Sequence, residues 1–200
     1  MPGGQHYLSR ERDRDAAVRA LVAAVELRDE AIGAHLERVS AIALELTAVV
    51  APDLAADPGL RYGFLLHDVG KIGIPDCVLH KPAPLDAAEL LTMRTHPVLG
   101  ERIIAPLVFL DGIARDVIAC HHEHWDGLGY PRGLRAESIP LAARIFAVAD
   151  AYDAMTSDRP YRTALDHEEA MRRIKEARGT QLDPALCAAF AFEVTCRAVG

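Results

Sequence analysis

The sequence predicts an all-α domain built as a helical bundle, and three observations support that fold class. Apolar residues recur at the spacing of about 3.6 residues that an amphipathic helix requires. Aspartate followed by proline, or by glutamate three residues later, precedes several of these segments and is typical of a helix start. No segment alternates apolar and polar residues over the length of a strand. The chain has 200 residues, half of them hydrophobic, which is enough for one domain with a substantial core.

Four helices are expected in the first half of the chain. A first amphipathic helix should cover about residues 13–28 and a second about 31–50, because apolar residues line one face of each. A third should start at an Asp-Pro pair and end at a glycine, over 57–70. Asp86, with Glu89 three residues later, forms a capping-box pattern that predicts the start of a fourth helix.

Four more helices are expected in the second half. One should begin near Asp111 and carry the segment "VIACHHEHW". The next is long and strongly apolar, with Ser138 as its expected cap and Pro140 in its first turn. A charged helix should run over 166–179, between an aspartate and a glycine. The last should start at the Asp-Pro pair 183–184.

Composition excludes several classes of partner. The net charge is −7 and no basic tract is present, so we expect no binding to a nucleic acid polymer. No apolar run reaches the length of a membrane span, and the charged N-terminus lacks the apolar core of a signal peptide. The cysteines form no C-x-x-C pair and suggest a reducing compartment, so we expect a cytoplasmic protein.

Seven polar residues with the chemistry of metal ligands stand in or beside these predicted helices. They are five histidines and two aspartates: His35, His67, Asp68, His96, His121, His122 and Asp150. Any one of them alone is more often a hydrogen-bonded core or rim residue than a ligand. Together, imidazoles and carboxylates on the helices of one bundle match the construction of dinuclear metal sites. Mixed nitrogen and oxygen ligands suit Fe, Mn, Zn or Ni better than Ca.

Three long motifs carry a resemblance to a known family. They are "HDVGKIGIPD", "HHEHWDGLGYPRGL" and "IPLAARIFAVADAYDAMTSDRPYR". They resemble the HD superfamily of metal-dependent phosphohydrolases and in particular its HD-GYP branch, whose GYP triplet corresponds to residues 129–131. The resemblance spans roughly residues 20–190. It implies an HD-GYP domain over 20–200, preceded by an N-terminal extension over 1–19 that is either flexible or the start of a coupling helix.

The resemblance implies two divalent metal ions that share Asp68. Fe or Mn is expected first, with Zn, Ni or Mg as alternatives. One ion would take His35, His67, Asp68 and Asp150, and the other would take Asp68, His96, His121 and His122. Some members bind a third metal through a glutamate four residues before the early histidine, but Ala31 holds that position here. The other histidines are not expected to be ligands: His6, His80, His124 and His167.

The resemblance also implies a set of substrate contacts. Lys71 would contact the scissile phosphate and act in catalysis with Asp68. Tyr130 would line the guanine or phosphate pocket, and Arg159 and Arg162 would contact the dinucleotide. Each of these side chains could instead be an ordinary solvated residue of a loop or helix end.

The function that the resemblance implies is hydrolysis of cyclic di-GMP to linear pGpG, and further to GMP, in bacterial second-messenger signalling. Three alternatives stay open. The domain could be a catalytically weak sensor of the nucleotide, a hydrolase of another cyclic dinucleotide such as cyclic GMP-AMP, or an HD-type di-iron oxygenase. The GYP loop and the basic "DRPYR" segment disfavour the oxygenase. A homodimer through the N-terminal helix is a further expectation.

Overall fold

The computed structural model describes residues 3–28, 30–158 and 163–199, with side chains over 10–28, 35–158 and 163–192. Within these ranges the chain forms α-helices and short 3-10 turns and contains no β-strand, which confirms the all-α fold class. The helices are α1 Gly3–Arg28, α2 Glu30–Val50, α3 Pro52–Ala55, α4 Pro58–Leu66, α5 Asp76–Leu79, α6 Ala87–Met93, α7 His96–Ile104, α8 Ile113–Cys120, α9 Leu141–Thr156, α10 His167–Glu176 and α11 Pro184–Val199.

Helix α2 runs through the centre of the bundle. Its apolar residues recur every three or four positions, so they lie on adjoining faces of one helix. Leu36 packs in a cluster with residues of α1, α4 and α8. Val39 packs in a second cluster with α4, α8 and α9, and Leu46 in a third with α9, α10 and α11. The helix thereby joins three apolar clusters. It carries His35, and most of the other candidate ligands stand at the ends of helices that surround it.

The third predicted helix is shorter than expected. Asp57 caps α4 as predicted, because its carboxylate accepts a hydrogen bond from the Gly59 amide at 2.7 Å. The helix ends at Leu66 instead of Gly70, and a 3-10 turn follows over Val69–Gly73. In this turn the backbone of Gly70 passes so close to α7 that a Cβ atom there would lie 1.8 Å from the His96 carbonyl oxygen. Only a residue without a Cβ atom fits at this position.

The start of α9 also differs from the prediction. Ser138 lies in a 3-10 turn and makes no capping hydrogen bond to α9, so its assignment as the cap is wrong. Ile139, which follows Ser138 and precedes Pro140, is extended, with ψ 128°. The ring of Pro140 disfavours helical backbone angles for the residue before it. Ile139 is therefore excluded from the helix, which begins at Leu141.

Most of the remaining predicted helices agree with the structure within a few residues. The helix predicted to carry the segment "VIACHHEHW" ends earlier, at Cys120, and His121 is its C-cap, so the last five residues of that segment lie outside the helix. The capping box of Asp86 and Glu89 is present, and Asp166 caps α10. α10 ends at Glu176, before the positive φ of Gly179. α1 starts at Gly3, earlier than residue 13. α3, α5 and α7 were not predicted. In the described part of the chain, no helix has the length and apolar character of a membrane span.

Candidate metal centre

The predicted ligands converge because most of them follow a helix end. His67 and Asp68 come directly after α4, His96 is the first residue of α7, and His121 and His122 come directly after α8. His35 and Asp150 project from the neighbouring helices α2 and α9. The side chains of His67, Asp68, His96 and His121 are all buried. The fold therefore brings all seven predicted ligands to one region of the bundle.

Four of these residues form a compact set of donor atoms. One ligand atom from each of Asp68, His96, His121 and His122 lies within 4.8 Å of the others. The Oδ1 atom of Asp68 is 3.3 Å from His96 Nε2 and 3.9 Å from His121 Nε2. The two imidazole Nε2 atoms are themselves 3.1 Å apart. Three imidazoles and one carboxylate at these separations fit the tetrahedral or open coordination of a divalent transition metal.

The other predicted set is looser and is joined to the first through Asp68. His35 Nε2 lies 3.3 Å from Asp150 Oδ1, and His67 Nε2 lies 3.3 Å from Asp68 Oδ2. The imidazole rings of His35 and His67 are 5.7 Å apart. Asp68 therefore directs Oδ2 toward His67 and Oδ1 toward His96, on the other side. A carboxylate placed between two groups of donors is suited to bridge two ions.

Local structure explains how three of the imidazoles are oriented. The Nδ1–H of His67 donates to the Phe64 carbonyl at 2.8 Å, and that of His121 donates to the Ile118 carbonyl at 3.1 Å. His96 Nδ1–H likewise donates to the last carbonyl of α6 at 2.9 Å. The final carbonyls of a helix have no partner within the helix, so each histidine caps the helix that precedes it. This bond leaves the Nε2 lone pair directed into the centre.

The protonation states of the set formed by Asp68, His96, His121 and His122 favour metal binding. Burial, reinforced by neighbouring histidines, lowers the pKa of His121 well below its usual value and that of His122 to about 3. Burial also lowers the pKa of His96. For Asp68, burial alone would raise the pKa, but Lys71 and His67 lower it well below the usual range. Neutral imidazoles beside an ionised carboxylate are the forms that coordinate a metal.

A second aspartate on α9 supports His35. Asp153 is buried and accepts a hydrogen bond from His35 Nδ1–H at 2.6 Å. The same carboxylate accepts from Arg38 Nε at 2.8 Å and from Arg38 Nη2 at 3.2 Å. Although burial opposes protonation, the hydrogen bonds to Asp150 and Asp153 raise the pKa of His35 to about 9. Sequence analysis missed Asp153 and Arg38. The available signal was the spacing of Asp153 three residues after Asp150, which places both on one helix face.

The GYP loop is held by a buried carboxylate that sequence analysis also missed. Glu123 accepts hydrogen bonds from the Arg132 amide at 2.7 Å and the Leu134 amide at 2.9 Å. Gly129 fits where a side chain could not, because a Cβ there would lie 2.2 Å from a backbone nitrogen. The Tyr130 ring then stacks on His122, with centroids 4.7 Å apart. Tyr130, predicted to line the substrate pocket, is therefore part of the wall of the metal centre.

The other predicted substrate residues have different outcomes. Lys71 Nζ lies 2.7 Å from Asp68 Oδ2, so it stands beside the predicted bridging carboxylate. Arg159 and Arg162 lie outside the described residues. The side chain of Ala31 is also outside the described part. Of the histidines not expected to be ligands, His80 is exposed, and His167 shares a hydrogen bond with Tyr152 at 3.0 Å.

Comparisons with known proteins identify the family to which the chain is similar. The family model described as HD domain matches residues 19–186. A cyclic di-GMP phosphodiesterase of Vibrio cholerae is 42% identical over 198 residues, which cover 88% of this chain and 39% of that protein. A 3'3'-cGAMP-specific phosphodiesterase of the same organism is 36% identical and covers 83% of this chain and 32% of that protein. The chain thus spans less than half the length of the curated relatives that it matches.

A solved structure shows the same fold. It is described as an HDG"Y"P protein of Bdellovibrio bacteriovorus and superposes with a TM-score of 0.62. The match covers 80% of this chain and 51% of that one at 20% sequence identity.

Proposed function

The chain belongs to the HD domain family, and on that premise we propose that it is a metal-dependent phosphodiesterase that hydrolyses cyclic di-GMP to linear pGpG. The observation that carries the proposal is the position of Asp68 between two groups of imidazoles. Curated relatives that act on cyclic di-GMP support the choice of substrate. In this reaction water adds across one P–O bond, leaving a phosphate monoester on one nucleoside and a free hydroxyl on the other.

Two divalent ions fit the donor set. His35, His67, Asp68 and Asp150 would hold one ion, and Asp68, His96, His121 and His122 would hold the other. When bound, such a pair supplies concentrated positive charge for the phosphoryl oxygens and lowers the pKa of water. Fe or Mn is the first choice for an N/O ligand set of this kind, with Zn, Ni or Mg as alternatives.

The residues of the chain contribute orientation and charge. Backbone carbonyls hold His67, His96 and His121 with Nε2 facing the centre. Lys71 stands beside Asp68, where its ammonium group can donate to a phosphate oxygen as negative charge develops there. Burial raises the pKa of Tyr130, so its phenol stays protonated at neutral pH and can donate to the nucleotide. Arg159 and Arg162 are proposed as further contacts to the dinucleotide on the basis of the motif alone.

The proposal is tested by turnover of a panel of cyclic dinucleotides with Mn or Fe loaded under anaerobic conditions. We expect formation of pGpG from cyclic di-GMP, and none with Asp68→Asn. Binding of cyclic di-GMP without turnover would contradict the proposal and favour a sensor. Consumption of oxygen in place of hydrolysis would instead favour an oxygenase.

Cyclic GMP-AMP is a second candidate substrate. A relative specific for 3'3'-cGAMP is 36% identical to this chain, close to the identity of the relatives that act on cyclic di-GMP. The two substrates differ only in one purine, so the metal centre would treat them alike. The ratio of kcat/KM values for the two substrates decides between them, and a ratio favouring cyclic GMP-AMP would overturn the first choice.

We further propose a division of the chain and its setting in the cell. Residues 1–19 would form an N-terminal extension and 20–200 the HD-GYP domain. The extension would couple the domain to a neighbouring unit or join two copies as a homodimer. Leu27, which lies on α1 just after the extension, is 88% exposed and would add apolar surface to a homodimer contact through this helix. A cytoplasmic location follows from the free cysteines and from the proposed second-messenger substrate.

A further inference from the structure

Arg94 lies at the rim of the metal centre. It follows the last residue of α6, and its amide donates to the Leu90 carbonyl at 2.9 Å, so its backbone is fixed by the helix end. His96, a predicted ligand, comes two residues later and starts α7. The Arg94 side chain is exposed to solvent. A fixed backbone beside a ligand, combined with an exposed side chain, suits a residue that meets a substrate entering the centre.

The guanidinium group of Arg94 is directed at Tyr130. Its Cζ atom lies 5.2 Å from the centroid of the Tyr130 ring, within the range of a cation–π contact. The same ring stacks on His122 and stands edge-on to His96, with centroids 6.3 Å apart. Tyr130 therefore joins Arg94 to the two predicted ligands. This contact holds the guanidinium group at the rim of the metal centre, where its N–H donors can reach a bound substrate.

A substrate with two phosphate groups needs more than one cationic contact. The chain carries a net charge of −7, and Lys71 is paired with Asp68. A cyclic dinucleotide carries two phosphodiester groups, and only one of them can occupy the metal centre while it reacts. The second phosphate must lie away from the ions, where a planar guanidinium can bind two of its oxygens at once.

From this placement we propose that Arg94, held over the Tyr130 ring, binds the non-scissile phosphate of the cyclic dinucleotide. The assignment rests on the proposed function, which it extends by naming the residue that recognises a substrate with two phosphates. The two phosphates are then bound by different groups. The ions and Lys71 bind the scissile phosphate, and Arg94 binds the non-scissile one. A substrate with a single phosphodiester group would gain nothing from Arg94.

The test compares two substrates in steady-state kinetics. Cyclic di-GMP has the second phosphate, and bis(4-nitrophenyl) phosphate has none. Arg94→Ala should raise KM for cyclic di-GMP roughly 10- to 100-fold, the loss expected for hydrogen bonds to a charged group. Its kcat, its metal content and its kinetics on the small ester should match those of the parent protein. Arg94→Lys should recover part of the loss, since it keeps the charge without the bidentate geometry. Arg102→Ala, a change at an exposed arginine on α7, is the control and should alter neither substrate.

Two results would overturn the assignment. One is an unchanged KM for cyclic di-GMP in Arg94→Ala, and the other is an equal loss on both substrates, which would indicate a disturbed metal centre. Calorimetric binding of cyclic di-GMP separates this assignment from the proposed function. If the parent protein binds the dinucleotide without hydrolysing it, the proposed function fails, and the ratio of the Kd values of Arg94→Ala and the parent decides the role of Arg94. A parent protein that turns over the small ester but does not bind the dinucleotide contradicts both.

Discussion

Replacing Gly70 with alanine should disrupt the metal centre although no predicted ligand is replaced. The added Cβ would lie 1.8 Å from the His96 carbonyl oxygen and 2.6 Å from the Gly100 amide nitrogen. Contacts of a Cβ below 3.0 Å are essentially never seen, so the 3-10 turn and α7 would have to separate by about 1.2 Å. Backbone atoms lie on both sides, and no side-chain rotation can relieve the overlap.

The size of this shift sets the expected effects. Metal–ligand distances tolerate only about 0.2 Å, so His96 Nε2 should leave the donor set that it forms with Asp68. Overpacking of this kind costs about 1–3 kcal/mol in the free energy of unfolding. Metal-loaded Gly70→Ala should therefore retain less metal than the parent protein and unfold at lower urea concentration.

Gly73→Ala is the matched control for this prediction. It lies in the same turn, but the atom nearest to its added Cβ is the Leu99 Cδ1 atom at 3.0 Å, the end of a flexible side chain. Its stability should stay within about 0.5 kcal/mol of the parent protein. Metal analysis and urea unfolding of both variants form the assay. Equal behaviour of the two variants would refute the close approach of Gly70 to α7 as the feature that positions His96.

Three further predictions concern residues around the centre. Asp153→Asn should lower metal affinity or activity roughly 10- to 100-fold, because His35 loses the carboxylate that orients it, and competition with a chelator measures the change; unchanged affinity would contradict that role. Glu123→Gln should lower the free energy of unfolding, measured in urea, by about 1–3 kcal/mol, because one amide of the GYP loop loses its acceptor. The control Glu137→Gln, at an exposed position, should change it little. Lys71→Ala should lower kcat by the equivalent of roughly 2.7–4 kcal/mol with metal still bound, and an unchanged kcat would remove it from catalysis.

Helix starts could be predicted from the sequence because they depend on local contacts. The carboxylates of Asp57, Asp86 and Asp166 each accept a hydrogen bond from an amide two or three residues further along the same chain. Both partners of each hydrogen bond lie within one helical turn, so the local sequence is enough to predict the bond. The prediction of Ser138 as a cap failed because the restriction that Pro140 places on the residue before it was overlooked.

Features that depend on distant segments were not predicted. α4 ends before His67, and Gly70 then passes close to α7, a helix that was itself missed. Five of the seven predicted ligands could be picked out because they stand in long and specific motifs. Their supports, Asp153 and Glu123, were missed because a carboxylate gains its role from a partner on another segment. Only the three-dimensional structure brings Asp153 to His35, or Glu123 to the amides of the GYP loop.

The proposed function requires two metal ions that share Asp68 and together support hydrolysis of cyclic di-GMP. The most direct test is to add Mn(II) stepwise to metal-free protein under anaerobic conditions and to measure the initial rate of pGpG formation at each step. With a shared dinuclear centre, the rate should stay low up to one equivalent per chain and reach its plateau at two. A plateau at one equivalent, or the absence of pGpG at any metal concentration, would contradict the claim.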